Sequence, residues 1–568
     1  MSAHQFVASA SESIARGVPL SLEQGLGALT LPGFIREVVA RFGEREALVQ
    51  PRGDGTFECW SYRDLWNRSF EVARALVACG LGKGDRVGVL MSNRAEFLSA
   101  LFGTALAGGT AAPLSTFSTP QELDHLLARS ACSVLLFERS VLRKDFGQML
   151  RQLDPTFGDA APGEPASRKF PFLRHLAAVD CDEPVGAVES WQAFLARGAG
   201  VSAAQVEARA DSISPSDPGV LFFSSGSTNR PKGIVSAHRG VAIQMWRMRW
   251  QQGLRDGVRY WTANGFFWSG NFAMAIGATL ASGGTLVLQR TFEPEAALQL
   301  MERQRVNFLF AWPHQWAQLE AAANWKDADL SALEYIDKDS PIARHPTVRS
   351  EWIEPRHCYG NTETFTLSTA YPAGTPREAA HNSHGLPLPG NSLKIVDPLS
   401  GKVVAVGERG EIAVKGPTLM LGYLGVPLDE TLDDEGYFRT GDGGYIDEAG
   451  RLFWEGRLND IIKTGGANVS PVEIDEVIKD YPGVKVAQTV GVPHETLGEL
   501  VVTCIVPYDG MALSEERVRS FAKERLASYK VPRRVLFFST EDLQLTGSAK
   551  VKTAELRKLA ARTLEEGR

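Results

Sequence analysis

Short buried-strand patterns alternate with amphipathic helix patterns early in the chain, and this alternation constrains the fold most. The spacing of apolar residues predicts helices over Tyr62 to Cys79 and Ala95 to Ala107, and a buried strand over Asp85 to Met91 between them. A further strand is expected at Cys132 to Glu138. Helices and strands in alternation are typical of a sheet covered by helices on its faces. The sequence therefore predicts an α/β fold.

A third helix is expected just before the Cys132 strand, because its start is marked by the residues that commonly cap helices. Thr119 is a good N-cap, Pro120 suits the first turn, and Glu122 completes a capping box. We expect this helix to run to Arg129.

The C-terminal part of the chain has a different pattern. A capped helix beginning at Ser470 is followed by strands and one charged helix, which indicates a small α+β unit. We expect residues 1–456 to form a large domain and residues 457–568 a small one, with the junction near 457–460. The expected later elements are strands at Val484 to Val492, Leu500 to Val506 and Arg534 to Phe538, and a helix at Glu515 to Leu526.

Charge and cysteine usage exclude several classes of protein. With 60 Lys and Arg against 67 Asp and Glu, and no block of like charges, nothing points to nucleic acid as a partner. The six cysteines form no CxxC or Cys/His cluster, which argues against zinc and disulfides and suits a reducing compartment. We see no signal peptide, and the apolar run Phe272 to Leu288 is short and broken by glycines, so no transmembrane segment is expected. We therefore expect a cytoplasmic protein, with oligomeric state open and a dimer as one candidate.

A polar, glycine-containing string follows a buried strand in the middle of the sequence. The strand Gly219 to Phe223 runs into SSGSTNRPKG, residues 224–233. Backbone N–H and hydroxyl groups of such a loop can converge on phosphate oxygens, and Lys232 adds a cation. The spacing is not that of a Walker A loop, and a polar surface loop would have the same composition. The candidate phosphate-binding residues are Ser224, Ser225, Gly226, Ser227, Thr228 and Lys232.

The ordered string SSGSTxxPKG resembles the phosphate-loop signature of the adenylate-forming enzyme family. That family includes acyl-CoA synthetases, peptide-synthetase adenylation domains and beetle luciferases. The family usually has glycine where this chain has Asn229, and asparagine tolerates the left-handed backbone that glycine would adopt. The resemblance implies a large N-terminal domain of helix-flanked sheets and a small mobile C-terminal domain.

Further motifs follow in the family's order. The string YGNTE, residues 359–363, is similar to an element in which Tyr359 stacks on adenine, Gly360 and Thr362 lie at the nucleotide, and Glu363 holds Mg2+. Mg2+ takes hard oxygen ligands and usually only one or two protein carboxylates, so the assignment is chemically apt. Alone, a Thr-Glu pair in a loop would be ordinary solvated surface.

The remaining motifs concern the ribose and the small domain. By the resemblance, Asp442 of an RTGD string binds the ribose hydroxyls, Arg457 contacts the ribose or a phosphate, and Asn459 is the hinge. Lys550, in TGSAK, corresponds to the catalytic lysine of the first step, and the face near Lys463 is presented in the second. On composition alone, a β-turn and a surface lysine would explain Asp442 and Lys550 equally well.

The segment Gly265 to Phe272 aligns with the acyl-pocket wall of the family. We expect Phe267, Trp268 and Asn271 in this pocket, where large aromatics favour an apolar acyl group. Asp337 and Lys338 stand where the family usually has a glycine-rich stretch, and we place them in the pocket as well. Core packing is the competing explanation for each aromatic.

The resemblance implies ATP-dependent activation of a carboxylic acid to acyl-AMP, with pyrophosphate release, and then thioester formation with coenzyme A. An ionised carboxylate needs no general base, so cations and N–H donors are the expected catalytic groups. The expected cofactors are ATP, Mg2+ and coenzyme A as co-substrate. The candidate catalytic residues are Lys550, Glu363, Thr228 and Lys463. We interpret His238, His357 and His384 as structural or pocket-lining.

Three other functions stay open at this stage. The chain could adenylate an acid and pass it to a carrier protein or a partner enzyme. A luciferase-like oxygenase is a second alternative, and a non-catalytic adenylate-binding protein a third. The acid, fatty or bulky and cyclic, is not identified by the sequence.

Overall fold

The computed structural model describes residues 12–181, 183–224, 231–355, 358–381, 383–458, 462–469, 471–508, 510–539 and 553–566. One sheet of eight strands and two of five are formed by residues up to 457, and a further sheet of five strands is formed by residues from 462 onward. The α/β class and the division into a large and a small domain are confirmed. The boundary at residue 456 stays a prediction.

The largest sheet carries the strand that leads into the phosphate loop. Its strands run parallel as far as Pro218–Ser224, whereas Lys232–Ala237 turns back antiparallel beside that strand. Ser224 pairs with Lys232 across this hairpin. The eight strands in sheet order are Val188–Ser190, His175–Val179, Val134–Glu138, Arg86–Leu90, Thr110–Pro113, Pro218–Ser224, Lys232–Ala237 and Gly422–Tyr423.

Two further sheets of five strands complete the large domain. One is mostly parallel and packs with the largest sheet and the helices in a single apolar cluster. Its strands are Phe308–Phe310, Arg259–Thr262, Thr285–Val287, Glu46–Pro51 and Phe57–Ser61. The other is antiparallel, with strands Ile14–Arg16, Ser392–Val396, Gly410–Lys415, Phe438–Ile446 and Leu452–Arg457.

Local sequence signals account for the helix boundaries. Thr119 and Glu122 form the expected capping box, and Ser61 and Asp64 form another. The α-helices are Leu31–Phe42, Tyr62–Ala78, Ala95–Leu106, Pro120–Ser130, Phe146–Leu153, Thr156–Asp159, Trp191–Ala196, Ala203–Asp211, His238–Gln251, Ser269–Asn271, Ala278–Ala281, Pro294–Arg303, Pro313–Glu320, Arg377–Ala380, Pro471–Lys479, Glu515–Lys523 and Thr553–Glu566, and Phe272–Gly277 forms a π-helical segment.

The small domain is a five-stranded sheet with an apolar cluster on each face. Its strands are Ala467–Val469, Ile462–Thr464, Gly498–Pro507, Val484–His494 and Arg534–Phe537. Side chains alternate between the faces along each strand, so Val501 and Ile505 join one cluster while Val502 and Cys504 join the other. The helix Thr553–Glu566 covers the second face through Leu556.

Candidate active site

The phosphate-loop hairpin brings Ser224 and Lys232 to the edge of the largest sheet. Ser224 ends one strand and Lys232 begins the next. The residues between them, which include the candidates Ser225, Gly226, Ser227 and Thr228, lie outside the described residues. The hairpin therefore fixes where a phosphate-binding loop would start and end.

Tyr423 connects the lysine of this hairpin to the candidate magnesium ligand. It lies on the strand that pairs with the Lys232 strand, and the Lys232 ammonium stands 4.9 Å from the centre of its ring. The Tyr423 hydroxyl donates a 2.7 Å hydrogen bond to Glu363 Oε1. Lys232 and Glu363, far apart in sequence, thus face the same aromatic side chain.

Glu363, the candidate magnesium ligand, is a buried carboxylate on a loop that a backbone hydrogen bond holds in place. It is 9% exposed, and its backbone carbonyl accepts a hydrogen bond from Met420 N–H, which fixes the loop. Across the residues that the structure describes, no group of three His, Cys, Asp or Glu side chains is arranged as a metal site. A single carboxylate fits Mg2+, which is commonly bound by one or two carboxylates plus substrate phosphates.

Tyr359 and Asp442 are joined by a hydrogen bond, although 83 residues separate them in sequence. The Tyr359 hydroxyl donates to Asp442 Oδ2 at 2.8 Å, and both side chains are buried. The backbone of Asp442 lies opposite that of Arg457 on the neighbouring antiparallel strand. The candidate adenine, ribose and junction residues therefore lie side by side.

The turn after Tyr359 is unusually tight. A side chain at Gly360 would meet the carbonyl oxygen of Thr366 at 1.6 Å, so only glycine fits. Phe365 and Thr366 both adopt positive φ, at 45° and 80°. The turn places the Thr362 hydroxyl 3.5 Å from that of Ser269, which lies within the expected acyl-pocket wall.

Of the acyl-pocket candidates, Trp268 meets the small domain, whereas Phe267 packs on Phe117 of the large domain. Trp268 contacts Tyr529 edge-on at 5.7 Å between ring centres, and Phe267 contacts Phe117 in the same manner at 5.5 Å. A cavity of about 50 Å³ lies here, bordered by Phe223, Pro231, Phe267, Trp268, Tyr529 and Lys530. Burial raises the pKa of Tyr529 to about 12, so its hydroxyl is protonated at neutral pH.

Asn271 ends the short helix Ser269–Asn271 and directly precedes the π-helical segment behind this wall. Its side-chain amide donates to Gly265 O at 3.0 Å, which closes the loop that carries Phe267 and Trp268. The helix continues through the π-helical segment Phe272–Gly277, a distortion often found at functional sites.

Asp337 and Lys338, the other two acyl-pocket candidates, have different environments from each other. Asp337 is buried, and its carboxylate accepts hydrogen bonds from Arg377 and from the backbone N–H groups of Asp339 and Glu354. Lys338 is exposed. Asp337 is thus tied into the protein, and the placement of both residues in the acyl pocket stays a prediction.

The hairpin of the small domain that carries Lys463 also faces the large domain. The Lys463 ammonium lies over the Trp454 ring, and its backbone N–H donates to Glu499. Gly466, at φ 80°, packs so closely on Trp312 that a side chain would meet the indole at 2.3 Å. The candidates Asn459 and Lys550 lie outside the described residues.

Reasoning from the sequence missed Tyr423 and Tyr529. Tyr423 lies in a strand of two residues, too short for a periodic pattern, and Tyr529 lies in a loop. Two histidines are structural, as expected. His238 Nδ1 accepts a hydrogen bond from Leu31 N–H, and His384 Nδ1 accepts one from Trp454 N–H, while His357 lies outside the described residues.

Comparison with known proteins decides the family. The sequence matches the AMP-binding enzyme family over residues 35–424 and the AMP-binding enzyme C-terminal domain over residues 473–550. The chain belongs to the AMP-binding enzyme family. As a member with relatives named acyl-CoA ligases and synthetases, this AMP-binding enzyme is an acid–thiol ligase.

The curated relatives match the AMP-binding enzyme over nearly its whole length. A feruloyl-CoA synthase from an Amycolatopsis species is 30% identical over 88% of this chain and 93% of its own. A 3-[(3aS,4S,7aS)-7a-methyl-1,5-dioxo-octahydro-1H-inden-4-yl]propanoyl:CoA ligase from Mycobacterium tuberculosis is 31% identical, covering 93% of this chain and 99% of its own.

Solved structures agree on the fold. The ATP-bound MatB of Rhodopseudomonas palustris is 26% identical, with a TM-score of 0.58 over 93% of this chain and 99% of its own. The amide bond synthetase McbA of Marinactinospora thermotolerans shares the fold at 24% identity and a TM-score of 0.69, over 93% of this chain and 99% of its own. No helix among the described residues is long and apolar enough to span a membrane.

Proposed function

We propose that the enzyme activates an apolar carboxylic acid with ATP and transfers the acyl group to coenzyme A. In the first step a carboxylate oxygen attacks the α-phosphorus of ATP, and the bond to pyrophosphate breaks, which leaves acyl-AMP. In the second step the thiol sulfur bonds to the acyl carbon, AMP leaves, and the thiol proton is released. The acid, ATP and coenzyme A are the reactants that the two steps consume.

The pairing of Tyr359 with Asp442 carries the proposal. The hydroxyl of Tyr359 holds one carboxylate oxygen of Asp442, and a carboxylate can accept several hydrogen bonds, which suits the two ribose hydroxyls. The Tyr359 ring would then stack on adenine. This arrangement offers a carboxylate for the ribose diol and an aromatic ring for the base, which the acid alone would not need.

The charged groups suit the first step. The barrier lies in bringing an anion onto the triphosphate, and cations held in place lower it. Lys232 and Glu363 meet at Tyr423, so a phosphate-binding cation and the residue that would hold Mg2+ are positioned together. When bound, Mg2+ would neutralise phosphate charge. We assign Lys550 the same task at the α-phosphate, as the resemblance implies.

The lining of the acyl wall supports an apolar acid, fatty or bulky and cyclic. Phe267, Trp268 and Phe223 border the cavity, and aromatic walls favour apolar groups. Two relatives are named for an aromatic acid and for a fused-ring propanoate, both compatible with such a wall. We place cyclic acids ahead of straight-chain fatty acids on this basis.

The orientation of the small domain supports the thiol step. The hairpin from Lys463 to Gly466 lies against Trp312 of the large domain, as expected for the second half-reaction. We propose a domain boundary at residue 456 with Asn459 as the hinge. All six cysteines are free thiols, which supports a cytoplasmic location.

Pyrophosphate release should be measured with ATP and Mg2+ over a panel of aromatic, fused-ring and fatty acids, with and without coenzyme A. Acyl-CoA should be quantified in the same samples. The proposal predicts acid-dependent pyrophosphate and acyl-CoA, with cyclic acids preferred. Acyl-AMP without acyl-CoA would indicate transfer to a carrier protein or partner enzyme instead, and no release with any acid would refute the proposal.

A further inference from the structure

The helix Pro120–Ser130 of the large domain receives the small domain at its N-terminus. The Thr119 hydroxyl donates to Arg525 O at 3.3 Å, and Glu122 Oε1 accepts from Ala527 N–H at 3.1 Å. The other oxygen of Glu122 accepts from Thr119 N–H at 2.9 Å within the capping box. One carboxylate thus caps its own helix and holds a loop of the other domain.

Lys530 occupies the centre of this contact. It is 2% exposed, and its ammonium lies 3.2 Å from Glu122 Oε1 and 2.8 Å from Glu473 Oε1. Burial opposes its protonation, but Tyr529 and the two carboxylates outweigh that effect and raise its pKa above the ordinary value. Because breaking a buried ion pair leaves an uncompensated charge, removal of this ammonium would disfavour the contact strongly.

The contact between Lys530 and Glu122 also determines which face of the small domain packs against the acyl wall. Tyr529, next to Lys530, meets Trp268, and Gly466 of the same domain meets Trp312. Tyr529 packs with the cluster that includes Ile462, whereas the helix Thr553–Glu566 packs on the opposite face of the sheet. In this orientation the hairpin that carries Lys463 faces the large domain.

The helix Pro120–Ser130 also reaches the phosphate loop. His125, one turn beyond Glu122, makes a 3.0 Å hydrogen bond with Pro231 O through Nε2. Pro231 directly precedes Lys232. The element that receives Lys530 is thus in contact with the end of the loop that binds phosphate.

We propose that Lys530, held between Glu122 and Glu473, is the positioning residue that keeps the small domain in the orientation for acyl transfer to the thiol. Its ammonium is engaged by the two carboxylates. It acts by making one domain orientation more populated than others, and therefore affects the second step and not the first. This inference rests on the proposed two-step function.

The test separates the two steps in Lys530→Met, which retains most of the aliphatic stem. Single-turnover transfer from supplied acyl-AMP to coenzyme A should slow by roughly 10- to 100-fold. Acid-dependent pyrophosphate release without coenzyme A should stay within about threefold of the wild type. Lys530→Arg should restore most of the transfer, and Lys523→Met, at an exposed lysine of the same domain, should change neither step.

A second variant guards against misfolding. Glu122→Gln keeps an oxygen for the helix cap and leaves Lys530 paired with Glu473, so it should slow transfer in the same direction but less. A distance measurement gives a readout independent of activity. Spin labels at the exposed Cys59 and at Tyr508→Cys should show one dominant distance in the wild-type background and a broader or shifted distribution with Lys530→Met.

Equal slowing of both steps, or an unchanged transfer rate together with unchanged spin-label distances, would overturn the inference. Failure of the wild type to form acyl-CoA from any supplied acyl-AMP would instead refute the proposed function. In that case the spin-label distances alone decide whether Lys530 sets the orientation: a shift with Lys530→Met supports it, and no shift refutes it.

Discussion

The proposed nucleotide half and the proposed acyl half of the active site differ in what holds them together. On the nucleotide half, Tyr359 with Asp442, and Tyr423 with Glu363, are joined by hydrogen bonds of 2.8 and 2.7 Å within the large domain. On the acyl half, Trp268 of the large domain is covered by Tyr529 of the small one.

This difference implies different behaviour during the reaction. These four side chains all belong to the large domain, so we expect the nucleotide half to keep its geometry when the small domain changes orientation. The acyl half has its observed form only in one orientation, which the buried Lys530 stabilises. Substitutions on the two halves should therefore affect different steps.

The largest effect is expected from Lys550→Ala. Loss of a cation from the α-phosphate should lower acid-dependent pyrophosphate release by roughly 100- to 1,000-fold. Lys552→Ala, two residues along the same segment, is the matched control and should be nearly silent. A fall of less than about tenfold would remove Lys550 from the catalytic residues.

On the nucleotide half, Asp442→Asn should raise the KM for ATP by roughly 10- to 100-fold, because hydrogen bonds to a charged carboxylate are lost. Tyr359→Phe deletes only the hydroxyl that holds Asp442 and should raise this KM by less than about tenfold. Initial rates over an ATP titration give both values. An unchanged KM for ATP with Asp442→Asn would contradict the ribose assignment.

A smaller effect is expected where Tyr423 supports Glu363. Tyr423→Phe removes the hydrogen bond to the carboxylate, and loss of such outer partners typically weakens metal binding by about tenfold or more. The Mg2+ concentration for half-maximal pyrophosphate release should rise accordingly. Tyr437→Phe, whose hydroxyl pairs with Ser392 instead, is the control. Equal shifts in the two variants would argue against a role of Tyr423 at the metal.

The smallest effect on the reaction at neutral pH is expected at His238, which belongs to the frame of the large domain. Burial lowers the pKa of His238 to about 4, below its usual 6.5. In the unfolded chain this imidazole becomes protonated as the pH falls below about 6.5, whereas in the folded protein it stays neutral until about pH 4. The free energy of unfolding should fall by about 3 kcal/mol across this window.

Urea unfolding at pH 7 and pH 4.5 measures this loss. His238→Gln can still accept the hydrogen bond from Leu31 N–H but does not titrate, so its stability should depend less on pH than that of the wild type. Identical pH dependence in both proteins would show that His238 is not the group responsible.

The sequence predicted the elements whose signals are local. The capping box at Thr119 and Glu122, the strand before the phosphate loop and the helix–strand order of the small domain are confirmed. Tyr359 and Asp442 are adjacent, and the roles that the resemblance gives them stay predictions.

The sequence could not predict contacts that depend on tertiary packing. Glu122 carries a helix-cap signal, but nothing local indicates that its second oxygen binds Lys530, 408 residues away. Asp337 breaks a glycine-rich pattern, and only the fold brings Arg377 to its carboxylate. Such pairs require knowledge of which strands and loops become neighbours.

The most direct test compares Lys550→Ala with Lys530→Met in the two half-reactions. We expect Lys550→Ala to form acyl-AMP very slowly yet still to transfer supplied acyl-AMP to coenzyme A, while Lys530→Met forms acyl-AMP but transfers it slowly. If both variants lose the same half-reaction, the division of the site into a fixed nucleotide half and an orientation-dependent acyl half is wrong.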